Sequence, residues 1–178
     1  MHFGNYHIRL INNKDSKEFY QLIQNNLKRL EDTFAGTVAK TKAIDKTEEF
    51  IEDATKKVRL KMYFPFVIID KPSRKLIGFI DIKNIDWKIP KAEIGYYIDS
   101  NYDGRGIASN ALKIMVDYSF DTLKINKLFI RTTKDNIGSQ KVAEKNGFEK
   151  EGYIRQDYKT TSGEIVDLIY YGLIRNLR

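Results

Sequence analysis

The chain has 178 residues, 42% apolar and 31% charged, with 31 Lys and Arg against 24 Asp and Glu for a net charge of +7, a profile expected of one soluble globular domain with a proper core. There is no cysteine, and the two histidines, His2 and His7, fall in what reads as a frayed amino terminus; this argues against disulfides, a thiolate nucleophile, a bound metal and a Ser-His-Asp triad. No apolar run approaches a membrane span and the first ten residues lack a signal-peptide core, so the expected address is cytoplasmic, with no membrane partner.

Residues 6–11 alternate weakly and read as a first strand. From Asp15, read as a cap, Phe19, Leu22, Ile23, Leu27 and Leu30 mark one helical stripe. Residues 32–44 contain Gly36 and no clear period, and read as a loop. Asp45 and Glu48 have capping-box spacing ahead of a second helix carrying Phe50, Ile51, Ala54 and Val58. Residues 64–70 and 75–83 flank Lys71-Pro72-Ser73-Arg74 as a hairpin, with Gly78 marking a bulge or a packing compromise. Residues 84–90 read as a second turn, so the middle of the chain is an antiparallel meander. Residues 126–133 are the strand after a crossover helix, and so are expected to lie parallel to the strand before that helix. A short helix with Val142 and Ala143 stops at Asn146-Gly147, with Gly147 as a left-handed cap and Phe148 as the apolar residue beyond. Residues 148–158 and 164–174 alternate around Thr160-Thr161-Ser162-Gly163, a final hairpin that closes the sheet.

The chain turns on residues 91–120. Ile94, Tyr96 and Ile98 alternate with Glu93, Gly95, Tyr97 and Asp99 as a strand; beyond Gly106, Ile107, Ala108, Ala111, Leu112, Met115, Val116 and Phe120 recur at helical steps. Between them Gly104 and Gly106 flank Arg105. Such a loop lets backbone approach a ligand closely and aims the free N–H groups of the first helical turn at a phosphate. A glycine pair also serves ordinary tight turns. It is not a nucleoside-triphosphate loop, because Ile107 stands where Lys is required, nor a dinucleotide fingerprint, which needs a third glycine.

Asn101-x-x-Gly104-x-Gly106 after a strand resembles the signature of the GNAT acyl-CoA N-acyltransferases, with Asn101 in place of the usual Gln or Arg. Asn136-x-x-Ser139, Glu144-Lys145-Asn146-Gly147-Phe148, Glu151-Gly152-Tyr153-Ile154-Arg155, the Ala92-Glu93-Ile94-Gly95-Tyr96 run and Gly163, Asp167 and Tyr171 resemble the Rim-type ribosomal-protein N-acetyltransferases of that family, in order from about residue 70 onward. The resemblance implies one GNAT domain over residues 1–178, an α/β (α+β) fold with a mixed, mostly antiparallel sheet, a splayed parallel pair and flanking helices. It also implies direct transfer from acetyl-CoA to a primary amine in a ternary complex, without a covalent acyl-enzyme.

The residue roles that follow from the resemblance are these. A free backbone N–H at Tyr97 or Ile98 polarises the thioester; Asn101, Gly104, Arg105, Gly106, Ile107, Ala108 and Ser109 hold the pyrophosphate, with Lys145 a further phosphate partner; Asn136 holds the pantetheine or its pyrophosphate end. Glu93 is the candidate base and Asp157 a second acid or base, each alternatively a surface or strand-end charge. Ser139 donates to the sulfur, since Ala143 stands where many members carry a tyrosine, or else bonds backbone in a helical first turn. Asn25, Asn26 and Phe34 lie on the acceptor side in this fold, as substrate contacts or as packing. The expected acceptor is a protein α-amine, and a ribosomal protein is one such acceptor. The alternatives are a small amine such as an antibiotic or polyamine, and a silent CoA-binding module. A protein acceptor implies an open groove between the amino-terminal helices and the last hairpin; a small amine implies a closed acidic pocket. The basic residues are spread along the chain, so nucleic acid is expected only through ribosome association; a homodimer is allowed.

Overall fold

The computed structural model describes residues 1–175. Its strands are β1 (His2–Phe3), β2 (Tyr6–Leu10), β3 (Phe64–Asp70), β4 (Leu76–Asp86), β5 (Lys91–Ile98), β6 (Lys127–Thr132), β7 (Glu149–Lys159) and β8 (Ile165–Ile174). They form one sheet in the order β1-β2-β3-β4-β5-β6-β8-β7, antiparallel everywhere except between β5 and β6. The last hairpin folds back so that β8 pairs with β6 and β7 becomes the edge.

Because strand side chains alternate, the sheet has two apolar faces and needs two covers. One cover is α1 (Ser16–Asn25), α2 (Leu27–Leu30), α3 (Ala35–Lys40) and α4 (Ile44–Arg59), whose Phe19, Leu22, Ile23, Phe50 and Ile51 pack on Val67, Phe79 and Tyr97. The other is α5 (Ile107–Asp117) and α6 (Ile137–Lys145), which bury Ala111, Leu112, Met115 and Ala143 against Ile80, Ile94, Leu128 and Ile130. Fully burying one such aliphatic or aromatic side chain stabilises by about 1.5–3 kcal/mol. Among the described residues no helix is long and apolar enough to cross a membrane.

Several sequence expectations are corrected. The amino terminus is not frayed: β1 pairs with β2, the Met1 ammonium donates to Ile8 O at 2.8 Å, and His2 stacks on His7 at 4.3 Å. Asp15 does not cap α1; it is the third residue of a capping box begun by Asn12 and also pairs with Arg9 at 2.6 Å. The helical stripe breaks at Asn26, whose buried amide donates to Leu22 O and accepts from Ser100 N–H. Residues 32–44 are not all loop, since α3 lies within them. No capping box opens α4, because Asp45 is already inside the helix and its cap position is Ala43. The 84–90 turn is shorter, β4 continuing to Asp86. The helix from Ile107 gives way at Tyr118 to a π-helical turn, Tyr118–Thr122. Gly78 carries both of its readings: the β3–β4 register shifts beside it, and a Cβ there would lie 2.7 Å from Ile98 Cδ1. At the end of α6 the Gly147 N–H reaches Glu144 O and the Phe148 N–H reaches Ala143 O, a Schellman ending.

Candidate active site

β5 keeps its β4 partner along its length, but its parallel pairing with β6 is confined to Lys91, Ala92 and Glu93 against Lys127, Leu128 and Phe129. Beyond Glu93 the two strands part and a gap opens through the middle of the sheet. Asp99 N–H donates to Ile77 O at 2.8 Å. Antiparallel strands send successive N–H groups to opposite sides, so Tyr97 N–H also turns toward β4 while Ile98 N–H faces the gap. The Tyr97 ring is core, packed on Phe34 at 4.9 Å and Phe79 at 5.6 Å, with a buried hydroxyl that has no partner among the described residues.

A cleft of about 610 Å³ opens at the gap, walled by α3, β4, β5, β6 and the start of α6. The register puts Asp81 opposite Gly95 and Lys83 opposite Glu93, so all four share the face that α1–α4 cover. Gly95 leaves the space these charges use, for a Cβ there would stand 2.7 Å from both Asp81 Oδ1 and Lys83 Nζ. Asp81 is 2% exposed and accepts from Tyr63 Oη at 2.9 Å and Gly95 N–H at 3.2 Å. Burial pushes its carboxyl above the ordinary carboxylate value, against the Lys83 charge and the Tyr63 hydrogen bond. For Lys83 burial works against the charge, but Asp81 at 3.5 Å and Glu93 at 3.9 Å hold its ammonium above the ordinary lysine value. The Lys83 ammonium also lies 5.1 Å from the Phe34 ring centre.

Glu93, 5% exposed, accepts from Asn84 Nδ2 at 2.6 Å and from Arg131 Nη2 at 2.9 Å. Arg131 reaches on to Asp157 at 3.4 Å, and Tyr170 Oη donates to the same Asp157 oxygen at 2.7 Å. Two bulges make this convergence. One inserts an extra residue into β4 opposite β5, with Asn84 at φ +50°; the other sets residues 155–157 of β7 against Asp167 alone, with Gln156 at φ +54°. Bulges re-aim side chains in this way.

On the opposite face Tyr96 Oη lies 3.1 Å from both Ser139 Oγ and Ser139 O, and burial pushes its phenol up to about 12. The phenol therefore stays protonated near neutral pH and acts as a donor. Asn136 caps α6, its Oδ1 accepting Ser139 N–H at 3.1 Å. Thr132, 5% exposed, lines the cleft with a hydroxyl that has no partner among the described residues.

Of the residues expected from the sequence, Glu93, Asn136 and Ser139 line this cleft, as does Phe34, while Asp157 joins it through Arg131. Asn25 is exposed and Asn26 is a structural bridge. The loop of residues 101–109 lies outside the cleft lining. There Gly104 and Gly106 have φ +74° and +70°, and Asn110 N–H is the first to close a bond on Gly106 O. That leaves the N–H groups of Ile107, Ala108 and Ser109 at the head of α5. The exposed side chains of Asn101 and Arg105 bond within the loop: Asn101 donates to Asp99 Oδ1, and Arg105 donates to Asn101 O while lying 4.8 Å from the Tyr102 ring centre. Lys145 is exposed at the end of α6, which Asn146 Nδ2 ties to Ser109 Oγ at 3.1 Å. Asp81, Lys83, Tyr96 and Arg131 were missed; Phe79-x-Asp81-x-Lys83, charges on alternate residues of an otherwise apolar strand, was the available signal. Among the described residues no group of three or more His, Cys, Asp or Glu could hold a metal ion.

Residues 6–149 match the family model described as acetyltransferase (GNAT) domain. The uncharacterized N-acetyltransferase p20 of Bacillus licheniformis is 34% identical over 110 residues, 62% of this chain and 61% of that protein. The ribosomal-protein-serine acetyltransferase of Escherichia coli (strain K12) is 35% identical over 82 residues, 46% of each chain. The spermidine N(1)-acetyltransferase of that strain is 30% identical over 81 residues, 46% of this chain and 44% of that one. The chain thus spans less than two thirds of the length of these relatives. The crystal structure of ribosomal-protein-S5-alanine acetyltransferase from Vibrio fischeri has the same fold, with a TM-score of 0.89 over 99% of this chain and 96% of that one at 24% identity. With the family model covering most of its length, the chain belongs to the GNAT acetyltransferase family.

Proposed function

We propose that the protein transfers the acetyl group of acetyl-CoA to the α-amine of a polypeptide. The observation that carries this reading is the charge of the cluster beside the gap. Asp81, Glu93 and Asp157 face Lys83 and Arg131, so three carboxylates meet two cations and one negative charge is left for one arriving ammonium. A polyamine brings several ammonium groups to a cleft whose lining carries Asp32, Asp53, Asp81 and Glu93 against Lys40, Lys57, Lys83 and Arg131, a balanced rather than an acidic wall.

Glu93 is the base in this reading, because it is the last β5 residue paired to β6 and stands at the edge of the gap. Asp81 holds the ammonium. The proton is not hard to remove, since an α-amino group has a pKa of about 7.7–8.0. Acetyl-CoA supplies an activated acyl thioester. The chain fits that group: Ile98 N–H faces the gap, Ser139 Oγ lies within hydrogen-bond reach of Tyr96 Oη, and the first-turn N–H groups at the head of α5 lie beside open space at Gly104. Each is a donor suited to a carbonyl oxygen, a sulfur and a phosphate respectively.

Thiol release from acetyl-CoA tests this against peptides beginning with Ala or Ser, spermidine and simple amines. Turnover on the peptides is expected; turnover on spermidine alone, or calorimetric binding of acetyl-CoA without any turnover, overturns it. Glu93→Gln should lower kcat by about 10²-fold or more and leave acetyl-CoA affinity unchanged. An unchanged kcat removes Glu93 as the base.

A further inference from the structure

Leu60, Met62, Trp87 and Ile89 are 67%, 58%, 43% and 62% exposed. They come from two turns, one after α4 and one between β4 and β5, which the Trp87 indole joins by donating to Lys61 O at 3.0 Å. Met62 and Trp87 also line the cleft, so the apolar surface continues directly out of it. The last residue of α4, Arg59, and the same turns' Lys61 and Lys88 add cations. None of the three has an acidic partner among the described residues, whereas Lys56 and Lys57 one turn earlier are paired to Glu52 and Asp53. A fixed indole beside aliphatic side chains is the makeup of a binding hot spot, and free cations around it favour an acidic partner by steering and by fit.

We propose that this surface docks the segment of the acceptor polypeptide that follows its acetylated residue, and that it selects acidic segments carrying an apolar side chain. The proposal rests on the acceptor being a polypeptide. The cleft takes the first residue, and the chain then leaves across Met62 and Trp87 into the field of Arg59, Lys61 and Lys88.

Initial rates are measured with saturating acetyl-CoA on three peptides with one common amino-terminal tripeptide: that tripeptide alone, a form extended by Asp, Glu and Leu, and a form extended by Lys, Arg and Ser. The acidic extension should lower KM about tenfold relative to the basic one, with kcat unchanged, and the advantage should fade as salt is raised. The triple variant Arg59→Gln, Lys61→Gln, Lys88→Gln should abolish that difference while its rate on the tripeptide and its thermal midpoint stay at wild-type values. Trp87→Ala should raise KM for the acidic form. Equal KM values on the two extended peptides, with the tripeptide acetylated, overturn the docking surface and leave the peptide acceptor standing. If no peptide is acetylated and a small amine is, the acceptor reading fails and the docking surface fails with it.

Discussion

Asp81 shows how far one side chain can depart from its surroundings. It stands in an apolar strand, 2% exposed, and burial raises its carboxyl above the ordinary 3.8. The folded chain therefore holds that proton more tightly than the unfolded chain does, and this group's share of stability is greatest in acid and falls as pH rises through the interval above 3.8. Asp81→Asn should flatten that slope in urea titrations run from pH 4 to 7. An unchanged slope would mean that the carboxylate is fully compensated by Lys83 and Tyr63. The candidate site was legible only where the family resemblance reached a particular residue. Glu93 and Ser139 could be named from sequence. Asp81 and Lys83 showed in the sequence only as charges in an apolar strand, and their meeting with Glu93 and Arg131 did not show, because it depends on the register of three strands, and register is a long-range property.

At the scale of elements, the loop of residues 104–106 and the bulges do the positioning. Gly106 has φ +70°, a conformation that costs a residue with a Cβ about 1–2 kcal/mol. Gly106→Ala should then weaken acetyl-CoA binding in calorimetry and leave turnover at saturating acetyl-CoA close to wild type. The long helices were readable from a period of three to four and β5 from a period of two, while β3 and β4, largely buried on both faces, were readable as β-rich runs flanking a Pro-containing turn. Capping was not. Asp15 and Asp45 have the right residue type but sit within their turns, and the true cap Asn12 lies ahead of a 3-10 turn that periodicity does not reveal. Helix α3 was hidden by Gly36 and by having only Val38 in the core. Its lead-in is held from far away, Ala35 N–H donating to Tyr158 Oη at 2.7 Å and Thr161 donating to Glu31 O at 2.8 Å. The groove expected to be open between the amino-terminal helices and the last hairpin is therefore bridged, so the proposed polypeptide acceptor would have to reach the cleft from the side of Met62 and Trp87.

For the whole molecule, the sheet order matters more than the order of the chain. The family match ends at residue 149, yet β6 takes its second partner from β8, and Leu168, Ile169 and Tyr171 are buried. A chain cut after residue 149 keeps the matched segment but loses one wall of the gap, and it should show no cooperative thermal transition by circular dichroism. The parting of β5 and β6 makes the sheet a partition with a slot, α1–α4 on one side and α5 and α6 on the other. In the proposed reaction acetyl-CoA meets the α5 and α6 side and the amine the α1–α4 side, so neither product would lie across the other's way out. Double-reciprocal lines should accordingly intersect rather than run parallel, and the acetylated peptide should inhibit without competing with acetyl-CoA. The slot makes the order of departure a matter of affinity and not of geometry.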